Sequence, residues 1–156
     1  MVLCSKEGSN FSGPSALSKV KYLEDEATAD IAYIACGADL AEAFSNAALA
    51  LYNVIVDLDQ ITPTLDFSYK WEAEDLPALL YDFLQDLIYF FDTERLLLCQ
   101  IEAGIEQISP EKFSLIIRGK GEKFSEKTHV AKTLIKAMTF FGLEINNNCV
   151  KVTLDI

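Results

Sequence analysis

DIAYIACGADLAEAFSNAALALYNVIVD, residues 30–57, changes its period once, and the change sets the architecture. Asp30 to Cys36 is a short apolar run of strand length, and Gly37 ends it. Asp39 and Glu42 then stand at the N-cap and N3 spacing of a capping box, in which each side chain takes up a free amide at a helix start. Leu40, Ala43, Phe44, Ala47, Leu51, Val54 and Ile55 follow at helical spacing to about Asp57, forming one apolar stripe. A buried strand feeding a capped amphipathic helix is the first half of an α/β arrangement.

Downstream the period falls to two. Leu65, Phe67, Tyr69 and Trp71 alternate with Thr64, Asp66, Ser68 and Lys70, a half-buried strand over Thr64–Glu72. A second helix begins after Asp75, with Pro77 tolerated in its first turn. It buries Leu76, Leu79, Leu80, Phe83, Leu87, Phe90 and Phe91 and ends near Asp92. Leu96–Gln107 and Lys112–Gly119 read as paired strands joined by a turn at Ser109–Pro110–Glu111, with Gly119–Lys120–Gly121 breaking the second. Leu134–Ile145 fits either period, with strand favoured. Asn146–Asn148 is a turn, and Val150, Val152, Leu154 and Ile156 alternate in a last strand. The expected order is β-α-β-α-β-β-β-β. The fold class is α/β (α+β), a two-layer sandwich in which two helices pack on one face of a mixed sheet. Residues 1–19, rich in Ser and Gly, read as a flexible extension, and 20–156 as one domain.

With 156 residues, 51% of them apolar, the chain can bury a core, and its 24% of charged residues excludes a disordered composition. No apolar run reaches the roughly 18–20 residues that span a bilayer. Met1 to Ser18 holds Lys6 as its only basic residue and no signal-like apolar core, so an intracellular location, cytoplasmic or nuclear, is expected. The net charge of −11 opposes direct capture of nucleic acid and suits a cation or a basic protein. Cys36, Cys99 and Cys149 lie in apolar strand-like context and read as reduced core residues.

The chain has neither a phosphate-binding glycine loop nor a nucleophile elbow, and His129 is its one histidine. Carboxylates are the chemical resource. Glu24, Asp25, Glu26 and Asp30 cluster at the first strand, and Asp155 stands beside the α-carboxylate of Ile156. Oxygen ligands of this kind suit Ca²⁺, Mg²⁺ or Mn²⁺. A strand-end aspartate also serves as a solvated or capping group, and periodicity alone does not bring Asp30 and Asp155 together.

Six motifs in order resemble one known family, the archeases. Tyr22-Leu23-Glu24-Asp25-Glu26-Ala27-Thr28-Ala29-Asp30-Ile31 is similar to their opening Tyr-x-x-x-Asp-His-Thr-Ala-Asp-(Ile/Val). Leu40-Ala41-Glu42-Ala43-Phe44 and the Asp75 to Leu84 helix resemble their two helices. Gly121-Glu122-Lys123-Phe124 before His129, Ile135-Lys136-Ala137-Met138-Thr139 and the closing Leu154-Asp155-Ile156 match the rest. Three places depart: Glu26-Ala27 replaces Asp-His, Lys132 and Leu134 replace Gly and Glu, and Phe140-Phe141 replaces Tyr-His. His129 is left as the only imidazole.

The resemblance implies a small acidic cofactor of an RtcB-type RNA ligase in tRNA splicing. Such a protein promotes formation of the ligase's guanylylated histidine and its repeated turnover, and is not itself an enzyme. The implied ligands of a divalent cation are Asp30, Asp155 and Ile156. Glu26, His129 and Lys136 are candidates for an indirect role, acting through water or touching the partner. A monomer or weak oligomer is expected, with no nucleic acid or membrane bound directly. The rival readings are a small carboxylate-metal hydrolase and a diverged, chaperone-like protein-binding homologue without metal.

Overall fold

The computed structural model describes residues 13–23 and 30–156. Its elements run β1 (Val20–Leu23), β2 (Asp30–Cys36), α1 (Leu40–Ile55), β3 (Leu65–Ala73), α2 (Leu76–Glu94), β4 (Leu96–Ser109), β5 (Lys112–Lys123), β6 (Ala137–Asn146) and β7 (Cys149–Asp155). The α+β class and the expected order hold, with β1 added at the front. The single mixed sheet does not. Among the described residues the strands form two antiparallel sheets, β1-β2-β7-β6 and β3-β5-β4. Both helices touch both sheets: α1 packs on β2 and β4, and α2 on β6 and β3.

That position explains a second difference. The single stripe expected for α1 would leave a wet face, yet twelve of its sixteen residues are buried, Ser45 and Asn46 among them. A helix held between two sheets is apolar nearly all round. Asn46 ties it to β2 by donating to the Cys36 carbonyl, and the Tyr33 and Tyr22 hydroxyls of β2 and β1 donate to its Ala47 and Ala50 carbonyls, while the buried Tyr52 hydroxyl and Asn46 Oδ1 find no hydrogen-bond partner among the described residues. Asp39 caps the helix by accepting the Glu42 N–H, as the sequence predicts. Glu42 reaches one residue further back than a capping box requires, to the Ala38 N–H. In α2, Asp75 caps the Ala78 N–H, and Pro77 sits in the first turn.

Three further expectations are corrected. Gly119 and Gly121 do not break β5, which runs through them to Lys123. A methyl group at Gly121 would overlap the Leu97 carbonyl, so glycine here permits close approach of β4, whose register shifts between Leu98 and Gln100. Cys36 and Cys149 are not reduced core residues. The β2–β7 register places them directly opposite each other, and they form a disulfide. Of the cysteines read as reduced, Cys99 alone is buried and free. Finally, Pro14–Lys19, within the stretch read as an extension, forms a 3-10 helix that sets Ala16 and Leu17 against the core. Cys4 and Lys6 lie outside the described residues, as do Glu24, Asp25, Glu26 and Ala27. Among the described residues no helix is long and apolar enough to cross a membrane.

Candidate functional site

Antiparallel pairing supplies the convergence that sequence spacing lacks. In the β2–β7 ladder Ile31 faces Leu154, Tyr33 faces Val152 and Ala35 faces Val150. Val150, Val152 and Leu154 are buried in the core with Tyr33 and Ala35, so the alternate positions point to the other face. Asp30 pairs directly with Asp155 on that face. Opposed residues of a ladder hold their Cβ atoms about 4.5–5.5 Å apart, which puts both carboxylates within reach of one small ion. Both residues are half-buried, and neither makes an ion pair with a described residue. Like charges opposed in this way repel, and a bound cation would reverse the sign of the interaction.

The surroundings fix the pair. Asp155 is held between β2 and β6, where Ala137 is its second strand partner, and its carbonyl accepts the Lys136 N–H at 2.8 Å. Lys136 therefore lies beside the pair through its main chain, with an exposed side chain. Ile156 follows, half-buried, its side chain packed on the core. Among the described residues no three His, Cys, Asp or Glu side chains gather into one group. The side-chain donors here are therefore two carboxylates. Their hard oxygens fit Ca²⁺, Mg²⁺ or Mn²⁺ with water completing the shell, and they do not fit a nitrogen–sulfur zinc site.

His129 sits elsewhere in the network. It is buried, its Nε2 lies 2.8 Å from a Glu122 oxygen, and the Ser125 N–H donates to its Nδ1 at 3.0 Å. Nδ1 also lies 3.2 Å from the Ser125 carbonyl and from the Thr128 hydroxyl, so the ring is held at both nitrogens. Glu122 also accepts the Thr62 N–H at 2.8 Å, and the Phe124 ring lies against His129. This cluster ties the segment after β5 to the loop before β3. Its contacts include neither Asp30 nor Asp155. Lys132 continues the tie, donating its N–H to the Ile55 carbonyl and pairing with Asp57. The Gly121-Glu122-Lys123-Phe124 and His129 motif does not by itself pair Glu122 with the imidazole, because the irregular segment between them sets no period.

The match to known proteins spans this whole frame. Residues 21–156 match the model of the Archease protein family. Protein archease of Methanosarcina mazei is 35% identical over 134 residues, covering 85% of this chain and 89% of that protein. Protein archease of Pyrococcus furiosus is 40% identical over 122 residues, covering 77% and 84%. The solution structure of Methanobacterium thermoautotrophicum protein 1598 superposes with a TM-score of 0.74 at 29% identity, over 88% of this chain and 99% of that one. The chain belongs to the archease family.

Proposed function

We propose that this protein is a metal-binding, non-catalytic activator of an RtcB-type RNA ligase in tRNA splicing, promoting ligase guanylylation and multiple turnover. The observation that carries the reading is the facing pair Asp30 and Asp155 at a strand end. Asp30, Asp155 and a main-chain oxygen of Ile156 would hold Ca²⁺, Mg²⁺ or Mn²⁺. Such an ion supplies positive charge and oxygen-ligand geometry where the chain is otherwise acidic. Glu26 and Lys136 flank the site in sequence, and His129 acts at a distance by ordering the segment that leads to Lys136. A non-catalytic role is favoured because the one histidine is committed to Glu122 and Ser125. The acidic surface favours a protein partner over bare RNA.

The test is multiple-turnover ligation by a matching ligase with GTP and divalent cation, with and without this protein. Wild type should raise turnover, and Asp30→Asn or Asp155→Asn should lose at least about tenfold of that gain. Unchanged activation by both variants would remove the metal from the account. Phosphodiester hydrolysis by the protein alone would replace the reading with a hydrolase.

A further inference from the structure

A cleft of about 400 Å³ opens where the end of α2 meets the segment after β5, lined by Phe91, Arg95, Phe124, Glu126, Ala131 and Leu134. Three separate features mark it. The first is backbone strain. Arg95 caps α2 in the left-handed region, at φ 61° and ψ 29°, its N–H shared between the Phe90 and Phe91 carbonyls. Glycine takes that conformation freely, and a Cβ-bearing residue is kept there at a cost. The second is charge. The Arg95 guanidinium lies 5.4 Å from the centre of the Phe91 ring and pairs with no described carboxylate. Lys112, Arg118, Lys120 and Lys132 of the adjoining segment are paired with Glu72, Glu102, Asp66 and Asp57. Arg95 stands apart from these pairs, and Lys123, the strand partner of the next residue, Leu96, lies beside it. The third is exposed apolar surface: Leu134, on the cleft wall, is 62% accessible.

We infer that this cleft docks a protein partner, taking an apolar side chain flanked by carboxylates. Phe91, Phe124 and Leu134 form an apolar seat large enough for one anchor side chain. The fork of Arg95 suits a carboxylate bidentately. Glu126 on the wall repels acid, so the occupant's carboxylate lies on the Arg95 side. Charge complementarity selects a protein over RNA: one basic rim serves a local carboxylate, whereas a phosphate chain would run on into an acidic surface. The identity of that partner rests on the reading above, under which it is the ligase.

The experiment is calorimetric titration of a matching ligase into wild type, Arg95→Gly, Leu134→Ser and Glu126→Gln, at about 0.05 and 0.3 M NaCl. Arg95→Gly should weaken binding by about tenfold or more and flatten its salt dependence. Its melting temperature should not fall, because relieved strain offsets glycine's extra chain entropy. Leu134→Ser should weaken binding similarly, and Glu126→Gln should tighten it. All three should keep Ca²⁺ binding at Asp30 and Asp155. Should Arg95→Gly melt lower, Arg95→Asn tolerates the same backbone and must show the same loss. Wild-type binding that Arg95→Gly and Leu134→Ser preserve within about twofold overturns the cleft while leaving the ligase reading intact. No binding by wild type overturns the ligase reading and this partner with it. An RNA oligonucleotide that binds wild type and is lost in Arg95→Gly makes the cleft a nucleic-acid site and overturns the proposal.

Discussion

At one end of the β2–β7 ladder Cys36 and Cys149 are joined covalently, and Gly37, Ala38, Glu42 and Asn148 fasten the same end with hydrogen bonds. At the other end, on the same face of the same two strands and roughly 20 Å away by strand rise, Asp30 and Asp155 oppose each other. One end is closed covalently; the other, open in the sense that only backbone pairing joins it, sets two like charges face to face. Electrostatic repulsion across one strand pair costs about 0.2–1 kcal/mol, while a disulfide contributes about 2–4 kcal/mol. The ladder can thus carry an unsatisfied acidic end because its far end is secured.

The largest effect expected concerns the closed end. Replacing Cys36 and Cys149 by serine, or reducing them with a dithiol, should cost about 2–4 kcal/mol, seen as a fall of roughly 5–15 °C in melting temperature. The bridge closes a loop with a sequence separation of 113, so most of the loss should come from the freed unfolded chain. Ca²⁺ affinity at the open end should stay within about twofold. If affinity fell in step with stability, the two ends would be coupled and the contrast drawn here would fail.

At the open end the sign should reverse. Asp155→Asn removes one of two opposed charges, so the cation-free protein should melt higher, by about 0.5 kcal/mol. Ca²⁺ binding should fall by roughly a hundredfold, because the site loses one of its two side-chain carboxylates. A titration and a melt on the same variant decide this. A drop in cation-free stability would mean that Asp155 is a structural residue of the strand end.

The sequence made parts of this contrast legible and hid others. β2, α1, β3 and α2 could be read because Asp39 and Asp75 cap the helices and Leu65 to Trp71 alternates. The division into two sheets could not, since period reports which way a side chain points and not which strand lies beside it. Gly119 and Gly121 were ambiguous for the same reason: glycine marks both a break and a close approach, and the partner strand decides between them. The disulfide was missed because a prior about compartment outweighed a register that was not yet known. The Asp30–Asp155 pair was named through family resemblance, and only the ladder explains why the two meet. Arg95 carried no signal at all, because a left-handed helix cap is ordinarily glycine or asparagine.

The smallest effect expected tests the noncovalent part of the closed end. Glu42 accepts the Ala38 N–H and pairs with Lys19 at 3.2 Å, while the Ala38 carbonyl accepts from Asn148 and the Gly37 N–H donates to Asn148. The Ala38 N–H is the main reason the Glu42 carboxyl titrates below its usual value of 4.5, with Lys19 adding to the shift. The folded state therefore favours ionised Glu42. Its contribution is fully present above the unfolded value and is lost as pH falls through the lower, folded one. Because the side chain is about a third exposed, the effect is on the order of 0.5 kcal/mol, or roughly 1–2 °C. Glu42→Gln should lower the melting temperature by that amount at neutral pH, and the two melting curves should converge as the pH falls below the lowered, folded value. The comparison should be made with the disulfide both intact and reduced. Once Cys36 and Cys149 no longer close the ladder, the hydrogen bonds around Ala38 are the remaining fastening at that end, and the Glu42→Gln penalty should grow. An equal penalty in both redox states would show that the covalent and hydrogen-bonded fastenings act independently, and that the closed end is two local devices rather than one clamp.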